Sequence, residues 1–286
     1  MRSPELSQTK TTFSFEIFPP KKTTQKHVIY ETLNALSNLH PDFISVTYGA
    51  GGSMNCENTV EIASAVKQKY GMESIAHLPC LYLSKAEIGS ILEKLQENGI
   101  SNILALRGDH SVDKMPVGEF HHANELIAFL HKHYPQCNLF AACYPEGHPD
   151  STTPAADLTA LKWKMEAGAS QFITQLFLDN DIFYAFRERA VQAGISIPIT
   201  AGIMPVTNKK QMEHIVKQCK ITLPKKFLHI ISKYEDNPEA LRDAGIAYAI
   251  EQIVDLIAQD VDGIHLYTMN RADIAKNIYD AVFRLL

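Results

Sequence analysis

A single carboxylate interrupts an aromatic stretch near the start of the chain. The stretch covers residues 13–20 and reads Phe-Ser-Phe-Glu-Ile-Phe-Pro-Pro. Its first six residues alternate with the two-residue period of a β-strand, and the prolines end the strand because they have no N–H to donate. A carboxyl group among aromatic rings loses hydration, which disfavours its charged form. Glu16 is therefore a candidate proton donor, and the competing interpretation is a solvent-facing residue on an edge strand.

Further polar residues follow or interrupt apolar runs. Arg107, Gly108 and Asp109 end the run Ile-Leu-Ala-Leu with two opposite charges, for which a simple ion pair is the structural alternative to a site. Gln175 lies in the apolar segment 172–177, where a buried amide needs partners that a ligand can supply. Other residues at or just after predicted strand ends are Thr47, Tyr48, His77, Tyr144, Glu146, His148, Met204, Tyr267, Asn270 and Arg271. Taken alone, Thr47 and Tyr48 are better explained by packing, and His77 is equally compatible with a hydrogen-bonded core histidine.

These residues are positioned by an alternation of strands and helices. The predicted strands cover 13–18, 43–48, 74–79, 102–107, 139–144, 171–177, 198–203 and 263–267. The predicted helices cover 28–39, 55–70, 85–98, 123–133, 154–167, 179–193, 209–219, 239–259 and 271–284, with residues 222–238 as an insertion. Such alternation gives a parallel sheet, and eight repeats in about 250 residues match a closed (β/α)8 barrel, a TIM barrel.

We therefore expect one barrel domain over residues 1–286, with residues 1–10 as a flexible segment. An open doubly wound sheet is the alternative, but no Gly-x-Gly-x-x-Gly motif follows the first strand. In a (β/α)8 barrel the strands converge on an active site at their C-terminal ends, so the polar residues named above should share one site. Asp157 and Lys164 lie two turns apart on one helix face, and from this spacing alone a solvated surface is the better interpretation.

Composition favours a small-molecule ligand. The formal net charge is −5 and no Lys/Arg run is present, which argues against nucleic-acid or membrane-surface partners. The polar first residues contain no apolar targeting segment, so we expect a cytoplasmic protein. The five cysteines include no Cys-x-x-Cys pair, and the histidines lack the spacing with carboxylates that a metal site needs. We predict no metal site.

Seven motifs together resemble the methylenetetrahydrofolate reductase family. They span nearly the whole chain in order and lie at residues 15–21, 45–52, 105–109, 144–149, 173–177, 202–206 and 267–271. The resemblance implies a (β/α)8 barrel that holds FAD and reduces 5,10-methylenetetrahydrofolate to 5-methyltetrahydrofolate, which supplies methyl groups for methionine synthesis. NADH or NADPH would reduce flavin N5 and leave before the folate enters, which implies ping-pong kinetics.

The resemblance also implies roles for individual residues. Glu16 would be the general acid that protonates N10 of the folate, Asp109 the carboxylate that stabilises the cationic iminium, and Gln175 a hydrogen-bond partner of the folate. Tyr267 and Arg271 match the substrate side. The positions that match FAD-binding residues are Thr47, His77, Arg107, Gly108, Asp109, Tyr144, His148, Asp157 and Lys164.

Three positions depart from the family pattern. Lys209 stands where some members carry a Phe that stacks on the substrate, and Ala160 and Trp163 replace polar residues that reach FAD in some members. The chain length resembles the short bacterial form without a regulatory domain, which favours NADH as donor and suggests a homo-oligomer. Two other readings stay open: a Schiff-base or metal-dependent lyase on the same barrel, and a non-catalytic flavin- or folate-binding member.

Overall fold

A computed structural model describes residues 10–20, 26–48, 56–111, 115–219 and 221–286, except the side chains at 214, 217 and 218. The flexible segment predicted for 1–10, apart from Lys10, lies outside the described residues, as do the glycines of the motif at 45–52. The strands are β1 (Thr12–Ile17), β2 (Phe43–Val46), β3 (Glu73–Pro79), β4 (Asn102–Leu106), β5 (Asn138–Cys143), β6 (Gln171–Thr174), β7 (Ile199–Ile203) and β8 (Gly263–Tyr267). The helices are α1 (Lys26–Ser37), α2 (Cys56–Gln68), α3 (Lys85–Glu97), α4 (Ala123–His133), α5 (Pro154–Glu166), α6 (Asn180–Gln192), α7 (Lys209–Cys219), α8 (Lys225–Tyr234), α9 (Pro238–Ala258) and α10 (Ala272–Val282).

The eight strands form a closed parallel barrel in sequence order, which confirms the predicted (β/α)8 fold. Closure is made by β1 against β8, with Ser14 in register with His265 and Glu16 with Tyr267. On the other side, β1 pairs with β2 and places Glu16 in register with Ser45. Because residues in register on parallel strands point to the same face, these side chains all point into the barrel.

Two apolar clusters lie on the two faces of the barrel, one between the strands and the helices and one inside the barrel. Phe13, Phe15 and Ile17 on β1 are buried against the helices, and the Phe13 ring packs edge-on against Tyr279 of α10, with 5.3 Å between centroids. Burying one such side chain stabilises the fold by roughly 1.5–3 kcal/mol. A second cluster fills the barrel interior and consists of Phe43, Ile75, Leu104, Phe140 and Ile173. We call this cluster the barrel plug. Because it fills the interior, the C-terminal mouth of the barrel is left as the place for a ligand.

The predicted insertion at 222–238 contains a helix, α8, that the pattern did not reveal. Its residues Phe227 and Ile231 lie one turn apart and are buried in a cluster with Leu176 and Met204. Pro224 is the N-cap of α8 and Pro238 opens α9. Both prolines mark helix starts, where a missing N–H costs nothing, although they resemble breakers in the sequence. Within the part of the chain that the structure describes, no helix is long and apolar enough to cross a membrane.

Candidate functional site

A cavity of about 400 Å³ opens at the C-terminal ends of the strands. Its walls include ten of the residues predicted from the sequence: Glu16, Thr47, His77, Arg107, Gly108, Asp109, Tyr144, His148, Gln175 and Tyr267. They come from seven strands or the loops that follow them, so only barrel closure brings them together. We call this the inner cavity.

Glu16 is buried at the inner cavity wall and does not lie on a solvent-facing edge. The residue is 8% exposed. Its Oε2 lies 3.5 Å from Nε2 of His77 and 3.8 Å from Nε2 of His265. The carboxyl group is therefore held between two imidazoles, and the alternative of an edge-strand glutamate is wrong.

Two buried polar atoms of the inner cavity lack hydrogen-bond partners among the described residues. They are Thr47 Oγ1 and His77 Nε2. Burial lowers the pKa of His77 to about 4, with the neighbouring Glu16 acting in the opposite direction. Because unpaired buried polar groups are costly, both atoms are suited to contact a bound molecule.

His265 contributes to the site but was not among the predicted residues. It is fully buried, with Nδ1 2.7 Å from Ser14 Oγ and Nε2 3.1 Å from Ser45 Oγ. Its ring also stacks on Phe43 of the barrel plug. The sequence did contain a signal for it. His265 lies two residues before Tyr267 on the same strand, so both side chains must point to the same face.

Tyr267 spans the barrel mouth from β8 to β6. Its hydroxyl donates a 2.6 Å hydrogen bond to the carbonyl oxygen of Thr174, and burial raises the pKa of Tyr267 well above its ordinary value. The ring crosses directly over Gly202 of β7. A Cβ at that position would lie 2.3 Å from the Thr174 carbonyl oxygen and 2.7 Å from the Tyr267 ring. A glycine at 202 is therefore required for this contact.

A second cavity of about 350 Å³, the outer cavity, lies beside the first. Both share Arg107, Tyr144 and His148 in their walls, so these residues form the boundary between them. The outer cavity is also lined by Asp157 and Lys164 and by the three residues Ala160, Leu161 and Trp163. All predicted cofactor positions thus line one cavity or both.

Asp157 and Lys164 are anchored, so the interpretation as a solvated helix face is wrong. The Lys164 ammonium donates a 2.8 Å hydrogen bond to the carbonyl oxygen of Ala142 on β5, and burial lowers the pKa of Lys164. Asp157 Oδ1 accepts from the backbone N–H of His148 at 3.1 Å and from the Ser151 hydroxyl at 2.9 Å. Together they fix α5 to the fifth strand and its loop.

The charged residues after β4 do not pair with each other. Arg107 Nη1 instead lies 2.8 Å from Oδ2 of Asp150, in the loop that follows β5. Asp109 is exposed at the rim of the inner cavity. It raises the pKa of Tyr144, which burial, the larger cause, brings to about 12. Within the described ranges of the chain no salt bridge engages this carboxylate, so it is available to a cationic ligand at the mouth.

Helix α7 forms one wall of the inner cavity through Gln211, Ile215 and Cys219, which recur every four residues. The segment after α7 is tied to the loop after β5, because Glu146 Oε2 accepts a 2.8 Å hydrogen bond from the backbone N–H of Thr222. The other carboxyl oxygen of Glu146 is buried without a hydrogen-bond partner in the described part of the chain. This bridge connects two walls of the mouth that are 76 residues apart.

Two residues singled out from the sequence face outward. Arg271 is half exposed and pairs with Asp273 at the start of α10, and it lies in the wall of neither cavity described above. Lys209 Nζ lies 2.6 Å from the Glu235 carboxylate at the end of α8. No cluster of three or more His, Cys, Asp or Glu suited to a metal ion occurs within the residues that the structure covers.

Sequence comparison assigns the family. A profile described as methylenetetrahydrofolate reductase matches residues 2–282. The chain belongs to this family. Among curated relatives, 5,10-methylenetetrahydrofolate reductase of Escherichia coli is 34% identical over 265 residues, with 92% of this chain and 87% of that protein covered. Methylenetetrahydrofolate reductase (NADH) 1 of Arabidopsis thaliana is 38% identical over 277 residues, but this chain spans only 47% of its length.

A solved structure gives independent support for the fold. A protein from Clostridium thermocellum, described as binding two copies of 5-methyl-5,6,7,8-tetrahydrofolic acid, superposes with a TM-score of 0.70. The two share 13% sequence identity, and the match covers 98% of this chain and 97% of the other. At this identity the likeness concerns the fold alone. Family membership therefore rests on the sequence matches.

Proposed function

We propose that this protein reduces 5,10-methylenetetrahydrofolate to 5-methyltetrahydrofolate, with NADH or NADPH as electron donor and FAD as cofactor. The observation that carries the proposal is the buried carboxyl group of Glu16 in the wall of the inner cavity, in a chain of this family. Reductive opening of a methylene bridge between two nitrogens needs a proton at the departing nitrogen. A carboxylic acid at this position can supply it.

The residues that surround the cavities fit a flavin dinucleotide. Thr47 Oγ1 and His77 Nε2 offer unpaired polar atoms in the inner cavity, and Arg107 and Lys164 offer positive charge at the boundary and in the outer cavity. The predicted FAD contacts at Gly108, Tyr144, His148 and Asp157 lie on the same two cavities. When bound, FAD supplies the hydride chemistry between the nicotinamide and the folate.

The catalytic roles come from the family resemblance, and the common place of these residues on the inner cavity supports them. Glu16 donates a proton to N10 of the folate, which opens the five-membered ring to the iminium form. Asp109 at the rim provides a negative charge that stabilises this cation. Gln175 and Tyr267 orient the pterin, while the Tyr267 ring is itself fixed by its hydrogen bond to the Thr174 carbonyl. Because both substrates would use the inner cavity in turn, we infer a ping-pong sequence.

The first test is an anaerobic spectrum of the purified protein. We expect an oxidised flavin band that bleaches on addition of NADH and returns on addition of 5,10-methylenetetrahydrofolate. Substituting NADPH for NADH in the same cuvette compares the two donors. A protein that is colourless and takes up no added FAD would contradict the proposed function. The barrel fold would not be affected by that result.

The substitution Glu16→Gln separates the two halves of the reaction. We expect bound flavin and its reduction by NADH to persist, while reoxidation by the folate slows about 10²- to 10⁴-fold, the usual contribution of a general acid. Glu97→Gln, which changes an exposed carboxylate at the end of α3, is the matched control. Loss of NADH-dependent flavin reduction in Glu16→Gln would show that the role assigned to Glu16 is wrong.

The same titration addresses a non-catalytic member of the family. Such a protein would bind FAD or folate without turnover. It would keep a flavin band that neither substrate changes. Intact Glu16, Asp109 and Gln175 around one cavity favour the enzyme.

A further inference from the structure

The single tryptophan of the chain, Trp163, is unusually exposed for its size. It lies on α5, is 55% exposed, and forms part of the outer cavity wall. Tryptophan carries a large apolar ring, which proteins generally bury in a core or reserve for a contact. An exposed ring at the edge of a cavity therefore indicates a contact with whatever fills that cavity.

The geometry of α5 leaves the ring accessible. A long helical side chain leans toward the N-terminus, over the residues three and four positions earlier. For Trp163 the residue three positions earlier is Ala160, which also lines the outer cavity and has only a methyl group. The helix itself is held in place by the bond from Lys164 to Ala142. The Trp163 ring therefore projects from a helix that is held in place, and the small side chain of Ala160 does not cover it.

The charges nearby indicate what kind of ligand would extend to this ring. Arg107 and His148 lie in the wall shared by the two cavities, and Lys164 lies deeper in the outer cavity. A molecule that occupies both cavities must pass the guanidinium of Arg107, which is paired with Asp150, and the ammonium of Lys164. Burial lowers the pKa of His148, so this ring contributes a hydrogen-bonding group and not a charge. The two cationic groups suit a phosphate link. Asp150 and Asp157 are already engaged by Arg107, His148 and Ser151. The matching ligand has an anionic middle and, at its outer end, an aromatic ring that can stack on Trp163.

We propose that Trp163 is the stacking surface for the adenine ring of FAD, whose flavin would lie in the inner cavity. This inference rests on the proposed function, because it takes FAD as the ligand. Trp163 then determines preference for the dinucleotide over the mononucleotide FMN, which has the same flavin but no adenine. Stacking of a base on an aromatic side chain changes affinity by about 5- to 150-fold.

The test uses binding rather than turnover. Apo-protein is titrated with FAD and, separately, with FMN, with the flavin fluorescence giving Kd and the emission of the only tryptophan reporting contact. We expect FAD to quench Trp163 and Trp163→Ala to raise the Kd for FAD about 5- to 150-fold, with the Kd for FMN unchanged. Trp163→Phe should fall between the parent and the alanine variant, because a smaller ring still stacks.

The controls separate the possible failures. Phe283→Ala removes an aromatic ring that is 44% exposed on the helical shell, and it should leave FAD affinity as in the parent. Equal FAD affinity in the parent and in Trp163→Ala would overturn the stacking role and leave the proposed function intact. Absence of FAD binding by the parent protein would overturn both. A loss of FMN affinity equal to that of FAD would show a general structural effect and would also overturn the inference.

Discussion

At the scale of single residues, the site is defined by polar groups that the fold forces out of water. His77 is an example, since burial lowers its pKa to about 4 from an ordinary 6.5. Between these two values the unfolded chain binds a proton that the folded chain does not, so the free energy of unfolding falls as pH drops. The part due to His77 approaches about 3 kcal/mol near pH 4.

We therefore predict that His77→Gln flattens the pH dependence of stability. Urea denaturation at neutral pH and at about pH 4.5 should show a smaller loss of unfolding free energy in the variant than in the parent. His121→Gln, which changes an exposed histidine ahead of α4, is the control and should follow the parent. An unchanged slope in His77→Gln would mean that His77 is protonated alike in the folded and unfolded states.

Polar residues at strand ends predicted the site, because a closed barrel brings the C-terminal ends of all its strands together. Glu16, Asp109 and Gln175 could be proposed as one site from the sequence, and the structure places all three on the inner cavity. His265 was missed because it lies within a strand, where a histidine is as compatible with packing as with function. The Asp150 partner of Arg107 was not predictable, since it depends on how the loop after β5 folds back.

At the scale of elements, α7 and α8 build a wall that the other repeats lack. Both helices pack on the ends of β6 and β7 through a separate apolar cluster that includes Leu176, Met204 and Phe227. The sequence predicted α7 but not α8, because Pro224, Pro238 and the charges between them resemble a loop. Proline at a helix start and lysine on a helix surface are both compatible with a helix. Only the buried face of α8 distinguishes the helix from a loop.

We predict that the bridge from Glu146 to Thr222 controls the stability of this wall. Glu146→Ala removes the carboxylate that accepts from the Thr222 N–H, and amide exchange at residues 221–223 should then become roughly 10- to 100-fold faster. Glu146→Gln retains an acceptor oxygen and should exchange close to the parent rate. Hydrogen exchange read by mass spectrometry distinguishes these outcomes, and equal exchange in Glu146→Ala would show that the bridge contributes nothing.

At the scale of the whole molecule, the barrel is held closed by contacts between its first and last strands. Beyond the strand pairing, Asn270 binds Phe18 twice: its Oδ1 accepts from the Phe18 N–H at 2.9 Å, and its Nδ2 donates to the Phe18 carbonyl at 3.0 Å. Asn270 has a φ of 57°, a left-handed conformation that asparagine tolerates better than most residues. The eight repeats predicted that the barrel closes. They did not predict the contact made by Asn270, because it depends on the geometry of a turn and turns have no periodic sequence pattern.

We predict that Asn270→Gly lowers the free energy of unfolding by about 1–3 kcal/mol, because glycine keeps the backbone conformation and loses both hydrogen bonds. Asn270→Asp should cost less than the glycine variant, since it keeps the acceptor for the Phe18 N–H. Asn277→Ala on the exposed face of α10 is the control. Urea denaturation gives the comparison, and equal stability of Asn270→Gly and the parent would exclude a role in closure.

The closure of β1 on β8 also determines when the site can exist during synthesis. The backbone carbonyl of Glu16 accepts hydrogen bonds from both the N–H and the hydroxyl of Thr268, at 3.3 and 2.6 Å, across 252 residues of chain. The ribosome therefore releases the proposed acid 252 residues before Thr268, which follows the strand that positions it. A nascent chain would carry Glu16 unplaced until β8 has emerged, and the site would then be assembled in a single step as the barrel closes.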